Sequence, residues 1–436
     1  MSTFQRRFVR RLGVAALTLA AVGASLLGQA FAPAATRAAD APTLLVYTDA
    51  TRLPGFQLYQ KTHPNVHLRI VTFGGDIPSK ILLFNRAGSG WPDLMFDAGP
   101  AEVARLATPQ YHYTAALDGL VPAATIAKFA VAPTNQCRIN GKLYCLRNDI
   151  AQEVLWYNAT LMKRFGYTAP TTWEQYQALG LRVAKEHPGY VVGSFGDPQA
   201  LNMYFWPSGC PVETLTGANS ARINLSDPKC TRVAAMADAL LTAGSMSRFG
   251  PFETGFITLG TQDKILMLPA ASWYGDYVFK PSYKTPKGEI SVALTPRWSS
   301  ERSNWGGAEG GGAYFVSSHS QNPQAAADVV TWMATNNAYQ ATAPTFPAYL
   351  PAADAWAQGH SKDPFYAINI YPTLRQAASL IQPDWSFTRY DTDAANTFGT
   401  VVVTAVKAKK TVVSALPTFQ TRLSQLAQIA GYSVSQ

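Results

Sequence analysis

The sequence predicts an α/β fold with a largely parallel sheet. Short apolar runs with β propensity alternate with helix-like stretches along the first part of the chain, and this β–α–β rhythm is typical of such folds. The length of 436 residues suits two or three domains, or two lobes around one cleft. Charged residues make up only 14% of the chain, against about 25% in typical globular proteins, which excludes a disordered or strongly charged chain.

Each predicted element rests on a local pattern. Strands are short apolar or alternating runs, and helices begin at capping residues such as Thr171, which Glu174 follows three positions later. The remainder, from about residue 343, is helical with proline-punctuated loops. The predicted strands are 43–48, 66–71, 94–96, 153–158, 265–273, 290–294 and 313–316, and the predicted helices are 56–62, 77–86, 171–186, 226–241 and 323–335.

Residues 1–39 have the pattern of a secretion signal. A basic stretch at 6–11 precedes an apolar run at 12–27, and small residues follow it. The apolar run is shorter than the ~20 residues that a membrane-spanning helix needs, so an uncleaved anchor is the weaker alternative. We therefore expect a periplasmic or secreted protein. The sequence does not decide between cleavage after Ala34 and cleavage after Ala38. It also leaves open export by the general secretion route or by the twin-arginine route.

The basic charge of the chain belongs largely to this leader. The formal net charge of +9 falls to +4 without the five arginines of residues 1–39, a segment that contains no Asp or Glu. No Lys- or Arg-rich run remains in the rest of the chain. Because nucleic-acid binding depends on clustered basic residues, we expect no nucleic-acid partner.

The cysteine spacing favours two local disulfides. Four cysteines allow three connectivities, and local pairing closes short loops. Asn140-Gly141 marks a hairpin turn. A two-residue turn places Cys137 opposite Tyr144, whereas a three-residue turn places it opposite Cys145, as a cross-strand bridge requires. Without any CxxC spacing a zinc site is the weaker alternative, and paired cysteines agree with an oxidising compartment. The cysteines are Cys137, Cys145, Cys210 and Cys230.

The search for catalytic motifs is negative. The chain contains no GxSxG, HExxH or GxxxxGK[ST] pattern, so we expect no catalytic residue, metal or cofactor. The glycines at 306–307 and 310–312 precede a predicted strand, which argues against a dinucleotide-binding turn. Asp93, Asp97 and Asp149 are candidate acids for a glycosidase pair, but the sequence alone does not set the separation of any two.

Aromatic and acidic residues at predicted strand ends indicate a binding site. Asp49 and Asp97 follow the first and third strands, and ligands of parallel sheets sit at the carboxyl ends of strands. A sugar ring offers C–H faces to indoles and hydroxyls to carboxylates. Core packing is the alternative for each aromatic residue. The aromatic residues beside Gly, Pro or a predicted strand end are Trp206, Trp273, Tyr274, Trp305 and Trp385.

The order of several motifs resembles the family 1 extracellular solute-binding proteins of ABC importers, which include maltose-type sugar binders. The most specific stretch runs from Gly-Lys-Leu-Tyr-Cys-Leu at 141–146 through Leu-Trp-Tyr-Asn at 155–158 to Thr-Trp-Glu at 172–174. Cys145 replaces a common glycine, and Arg147 stands where proline is usual. Weaker matches at 88–94, 265–273 and 305–326 keep the family order, so the resemblance covers about 43–430.

The resemblance implies a type II periplasmic binding protein fold, with two α/β lobes, a hinge and an interlobe ligand cleft. Lobe one would comprise 43–150 and 295–342, and lobe two 151–294 and 343–436. The protein would be a monomer without enzymatic activity, the substrate-binding component of an ABC importer. It would capture a small-molecule solute, a mono- or oligosaccharide, and deliver it to a membrane permease.

The resemblance also implies roles for individual residues. Trp206 and Trp273 would stack on the ligand from lobe two, and Trp305 and Gly307 would line the lobe-one wall. Three polar residues complete the expected site. Asp49 and Asp97 would accept ligand hydroxyls, and Arg389 would donate to the ligand or pair with a hinge carboxylate.

Alternative ligands for the same fold are a polyamine, a phosphate ester such as a glycerophosphodiester, and a metal chelate. A secreted glycoside-active enzyme is the alternative of another class.

Overall fold

The computed structural model describes residues 41–302, 304–382 and 385–435, so the predicted secretion signal lies outside the described residues. The strands are β1 (Thr43–Thr48), β2 (His67–Thr72), β3 (Leu94–Asp97), β4 (Arg138–Ile139), β5 (Lys142–Leu143), β6 (Leu146–Arg147), β7 (Glu153–Asn158), β8 (Gly193–Ser194), β9 (Glu213–Gly217), β10 (Ser220–Ile223), β11 (Met246–Ser247), β12 (Met267–Ala271), β13 (Ile290–Ala293), β14 (Ala313–Val316) and β15 (Ser433–Ser435).

The α-helices are α1 (Leu53–Thr62), α2 (Ile77–Ala87), α3 (Glu102–Leu106), α4 (Ala123–Ile126), α5 (Val131–Gln136), α6 (Ala159–Phe165), α7 (Trp173–Glu186), α8 (Pro228–Ala243), α9 (Thr254–Thr261), α10 (Pro323–Thr335), α11 (Asn337–Gln340), α12 (Leu350–His360), α13 (Tyr371–Ser379), α14 (Asp391–Phe398), α15 (Thr404–Lys407) and α16 (Val412–Ile429). Wider π-helical turns are Leu201–Phe205, Gly275–Phe279 and Gly399–Val403. None of the helices in the described part of the chain is long and apolar enough to cross a membrane.

The first sheet is mixed, with strand order β2-β1-β3-β14-β6. Strand β1 pairs in parallel with β2 and β3, as the β–α–β rhythm predicts. Strand β14 returns from much later in the chain and runs antiparallel to both β3 and β6. The prediction of a largely parallel sheet is therefore wrong beyond the first three strands, because the rhythm of neighbouring segments carries no information about a strand inserted from a distance.

A second sheet, with order β12-β7-β13, is wholly antiparallel. Its central strand β7 matches the predicted strand, and most of its side chains are buried on both faces. The indole of Trp156 is fully buried, lies 5.8 Å from the ring of Phe279 and donates to the carbonyl of Ala271 on β12. These contacts anchor the second sheet to the helices around it.

Two chain segments cross between the sheets side by side. One leads from β6 to β7 and the other from β13 to β14, and they pair as antiparallel neighbours at Gln152 and Ala308. The amide of Glu153 donates to the carbonyl of Gly307 at 2.9 Å. We call residues 151–153 and 307–309 the crossover ribbon. It joins the two sheets.

The cysteine hairpin confirms the predicted pairing but not the predicted turn. Asn140 and Gly141 alone form the turn, both with positive φ (51° and 81°), so the turn has two residues. The carbonyl of Cys137 accepts from the amide of Tyr144 at 2.9 Å, which places these two residues opposite each other. The disulfide to Cys145 is therefore diagonal, and the expected three-residue turn is wrong.

The second predicted disulfide is also present. Cys210 and Cys230, with Cα atoms 4.7 Å apart, close the loop between the π-helical turn of residues 201–205 and helix α8. The predicted cap of α7 is displaced by one residue. Thr172 rather than Thr171 caps the helix, and the side chain of Gln175 completes the capping box.

Candidate functional site

Two adjacent cavities, which share four lining residues, lie beside the crossover ribbon. The inner cavity has a volume of about 200 Å³ and lies between the loop 99–101, which follows β3, and the segments around Asn202 and Asp391. The outer cavity has a volume of about 500 Å³ and opens toward the loop that the second disulfide closes. The residues that line both cavities are Trp206, Val212, Glu213 and Trp385.

Asp49 sits at the start of the turn between β1 and α1, and an arginine that the sequence did not single out neutralises it. Arg52 donates to Asp49 at 3.1 Å and lies 3.8 Å from the carboxylate of Asp149. Its guanidinium also lies 4.2 Å from the centre of the Phe96 ring. Asp49 therefore belongs to an ion-paired cluster in which one guanidinium faces two carboxylates.

Asp97 ends β3 and accepts from the amide of Gly99 at 2.8 Å. Burial among protein atoms raises the pKa of Asp97 to about 7, and the nearby carboxylates of Glu102 and Asp76 act in the same direction. At neutral pH this side chain exists in both protonation states. It can therefore donate a hydrogen bond as well as accept one.

Trp273 follows β12 and lies against the end of the crossover ribbon. Its Nε1 donates to the carbonyl of Glu309 at 2.8 Å, and its ring stacks on that of Phe252 at 6.2 Å between centroids. A Cβ on Gly310 would lie 3.8 Å from the same Nε1, so Trp273 borders the wall of the inner cavity. The ring of Tyr277 lies 6.4 Å from that of Trp273. Burial raises the pKa of the Tyr277 hydroxyl, and the positive charge of Arg52 opposes this rise.

Trp206 and Trp385 line both cavities. Their ring centroids lie 3.5 Å apart and their planes are nearly perpendicular, at 87°. Trp305 lines the outer cavity but not the inner one, and the ammonium group of Lys229 lies 4.7 Å from the centre of its ring. The structure thus brings Trp206 and Trp305, both expected in the site, to one aromatic cavity together with Trp385.

Of the expected site residues, Trp206 and Trp305 line these cavities, whereas the other five do not: Asp49, Asp97, Trp273, Gly307 and Arg389. Gly307 belongs to the crossover ribbon, where a Cβ would come within 3.0 Å of the side chain of Glu153. Arg389 is engaged elsewhere, because its guanidinium lies 4.1 Å from the ring centre of Tyr432 and donates to Asn219 at 3.0 Å.

The crossover ribbon carries two buried acids that the sequence did not single out. Glu153 and Glu309 are 1% and 3% exposed. Glu153 lies opposite Gly307 in the ribbon, and strand alternation places it on the same face as Glu309, diagonally across. Burial raises the pKa of Glu153 to about 8. Burial, and then the charge of Glu153, raise the pKa of Glu309 well above its usual range.

The inner cavity contains another pair of acids with raised pKa values. Burial raises the pKa of Glu213 to about 8 and that of Asp391 to about 7, and the charge of Asp391 adds to the first shift. Both residues are therefore partly or mainly neutral at pH 7. Strand β9 and the start of α14 position them, and no local motif distinguishes them from surface acids.

Polar contacts join α3 to α14 at the rim of the inner cavity. The guanidinium of Arg105 donates to Asp393 at 2.7 Å, and the hydroxyl of Thr392 donates to Glu102 at 2.6 Å. Helix α3 follows the first sheet, whereas α14 packs on α16. Among the described residues, no cluster of three His, Cys, Asp or Glu side chains could hold a metal ion.

Residues 41–340 match the family of bacterial extracellular solute-binding proteins. The chain belongs to this family. No curated protein matches the chain. The structure of this solute-binding protein resembles many solved structures, and at these low identities the likeness establishes the fold alone. It is the type II periplasmic binding protein fold, as the sequence resemblance implied.

Three similar proteins have been solved in complex with a sugar or a sugar analogue. The galacto-N-biose/lacto-N-biose I-binding protein of Bifidobacterium longum, in complex with lacto-N-biose, is 20% identical (TM-score 0.78; 92% of this chain and 100% of that chain covered). A B. animalis subsp. lactis transporter-associated binding protein with β-1,6-galactobiose is 19% identical (0.74; 90% and 99%). The GacH receptor of Streptomyces glaucescens, with acarbose, is 17% identical (0.69; 90% and 100%).

Proposed function

We propose that this solute-binding protein is the substrate-binding component of an ABC importer and that it captures a carbohydrate at the inner cavity. The observation that carries the proposal is the combination of partly exposed indoles with largely neutral hydrogen-bonding acids beside the crossover ribbon. Indole faces suit the apolar faces of a sugar ring, and neutral carboxyl groups both donate to and accept from hydroxyls.

The charge balance of the inner cavity favours a neutral ligand over the alternatives. A polyamine site needs several ionised carboxylates, but burial raises the pKa of Glu213 to about 8 and that of Asp391 to about 7. A phosphate ester needs a free cation or a helix N-terminus. Among the described residues that line the inner cavity there is no Lys or Arg, and the first turn of α14, which reaches this wall, carries the acids Asp391 and Asp393.

The ligands of the similar structures also support a carbohydrate as the ligand of this protein. Lacto-N-biose, β-1,6-galactobiose and acarbose are named with those three proteins. The expected lobes, 43–150 with 295–342 and 151–294 with 343–436, would close over the sugar about the crossover ribbon. Ligand bound to one lobe gains contacts with the other, and this difference in affinity shifts an open–closed equilibrium. The permease would recognise the closed, monomeric form outside the cytoplasmic membrane.

The proposal is tested by thermal-shift screening of the purified mature chain. The panel contains mono-, di- and oligosaccharides, polyamines, glycerophosphodiesters and metal chelates. A ligand at ~100 times its Kd adds about 2.7 kcal/mol to the free energy of unfolding, so a cognate sugar gives a clear rise in Tm. A shift with polyamines or phosphate esters but with no sugar contradicts the proposal.

A second measurement separates binding from catalysis. Incubating the protein with oligosaccharides and assaying reducing ends should detect no release above that of a heat-denatured control. Release of reducing ends would replace the binding role by that of a secreted glycoside-active enzyme.

A further inference from the structure

The outer cavity is the larger of the two adjacent cavities. Ligand sites in proteins usually enclose ~300–1,000 Å³. The inner cavity, at about 200 Å³, falls below this range, whereas the outer cavity, at about 500 Å³, lies within it. Trp206 and Trp385 line both cavities, so a molecule that extends from the inner cavity along these two rings reaches the outer one.

The wall of the outer cavity is rigidly built. The loop between Cys210 and Cys230 supplies much of the wall, and the disulfide ties its two ends together. Strands β9 and β10 pair within this loop. At its start Gly209 adopts positive φ (69°), and a Cβ there would lie 2.9 Å from the indole of Trp305. This close approach and the nearby Lys229 ammonium fix the orientation of the ring.

The lining of the outer cavity combines aromatic surface with both kinds of charge. Three indoles, those of Trp206, Trp305 and Trp385, face it from different segments. Arg222 and Lys229 supply donors and Asp227 an acceptor, while burial raises the pKa of Glu213 to about 8, so the wall carries about one net positive charge at pH 7. Such a surface fits a neutral chain of hydroxyl groups better than a strongly charged ligand.

We propose that the outer cavity is a second sugar subsite and that the cognate ligand is a linear oligosaccharide of three or more units. This inference rests on the proposed function. One end of the oligosaccharide occupies the inner cavity, the chain passes the rings of Trp206 and Trp385, and the remaining units lie against Trp305. The wall that receives those units is the loop closed by the disulfide.

The test measures affinity against ligand length by isothermal titration calorimetry. The probes are the two-, three- and four-unit members of the β-1,6-galacto-oligosaccharide and malto-oligosaccharide series. In the series that binds, we expect at least tenfold tighter binding of the three- or four-unit sugar than of the disaccharide. Equal affinities across the series overturn the inference and leave sugar binding intact. Failure of every sugar to bind contradicts the proposed function itself.

Variants of the wall locate the effect. Trp305→Ala and Arg222→Ala should each reduce the ratio of disaccharide Kd to tetrasaccharide Kd toward one. Phe249→Ala is the matched control, because Phe249 is 52% exposed and lines neither of these two cavities. Arg222→Ala removes one side chain from strand β10. This variant keeps the test decisive if Trp305→Ala fails to fold. A ratio unchanged in every folded wall variant overturns the assignment.

Discussion

Glu153 and Glu309 of the crossover ribbon make the stability of the protein depend on pH. A carboxyl whose pKa is higher in the folded than in the unfolded chain keeps its proton to a higher pH when folded. Glu153 has its pKa raised by burial from 4.5 to about 8. Between these values the folded chain binds more protons than the unfolded chain, so the free energy of unfolding falls as pH rises through this window.

Glu153→Gln should therefore flatten this decline. The amide keeps the shape of the protonated carboxyl but does not ionise, so the variant gains stability over the parent as pH rises toward about 8. Tm measured at half-unit steps across the window checks the slope. Glu253→Gln is the control, since Glu253 is an exposed partner of Lys407. A parental slope in Glu153→Gln would contradict the prediction.

Removal of Trp273, which the resemblance assigns to ligand stacking, should weaken sugar binding. Trp273→Ala deletes a ring that borders the inner cavity, and we expect a loss of roughly 1–3 kcal/mol in binding free energy, measured by calorimetry with the best sugar of the panel. Trp332→Ala is matched in size and partial burial but packs on Tyr59 in the first sheet's helices. An unchanged Kd with lowered Tm in Trp273→Ala would show that Trp273 is a core residue.

Among individual residues, the sequence predicts those candidate site residues that stand beside a recognisable local pattern. Asp49 and Asp97 follow strands, and the tryptophans stand beside Gly, Pro or strand ends. Arg52 and Glu309 were not found, because their roles come from partners on other segments. Arg389 was placed at the site by family position, and the structure engages it with Tyr432 instead. Pairings between distant segments leave no local signal.

Helices and strands with strong periodicity or clear caps have bounds close to those that the sequence predicts. Strands β1, β7 and β14 and helix α10 have the predicted bounds. The turn at Asn140-Gly141 is one residue shorter than predicted. The prediction followed the geometry of a directly cross-strand disulfide, whereas the conformation of the dipeptide sets the length of the turn. The dipeptide decides, since both residues adopt positive φ in a two-residue turn.

The two disulfides should differ in their effects. The loop between Cys210 and Cys230 spans 20 residues and that between Cys137 and Cys145 spans 8. In the chain-entropy description, the longer loop contributes about 3 kcal/mol to the free energy of unfolding and the shorter roughly 1 kcal/mol less. We expect the Cys210→Ser, Cys230→Ser double variant to show the larger fall in Tm.

Ligand length provides the sharper comparison of the two bridges. Removing the Cys210–Cys230 bridge should also reduce the preference for long oligosaccharides, because this bridge holds the outer wall. The Cys137→Ser, Cys145→Ser variant is the control and should keep that preference. Calorimetry with the di- and tetrasaccharide checks both, and equal loss in the two variants would show a general effect of destabilisation.

For the molecule as a whole, the resemblance predicted the fold, and the residue patterns alone would not have done so. The rhythm of the chain indicated an α/β protein, but the interleaving of two sheets depends on which distant strands pair. The expected lobe boundaries at 150/151 and 294/295 fall in the segments that lead into and out of the second sheet. Those boundaries stay a prediction that a comparison of open and closed forms would test.

Contacts across the rim should contribute modestly to ligand retention. Arg105 and Asp393 are 18% and 48% exposed, and partly exposed ion pairs contribute about 0.2–1 kcal/mol. Arg105→Ala should therefore speed sugar dissociation by about 1.4- to fivefold, measured by stopped-flow fluorescence. Arg375→Ala breaks a comparable pair with Asp354 within the later helices and should leave the rate unchanged. A parental rate in Arg105→Ala would show that the rim contact does not slow release.

The pairing of β3 with β14 also sets an order of assembly during synthesis. Leu94 lies beside Val316, so the inner edge of β3 has no partner until nearly three quarters of the chain has been made. Open strand edges invite association with other chains, and contacts this distant in sequence form slowly. The newly made N-terminal segment must therefore stay unaggregated while it waits for a strand that arrives late.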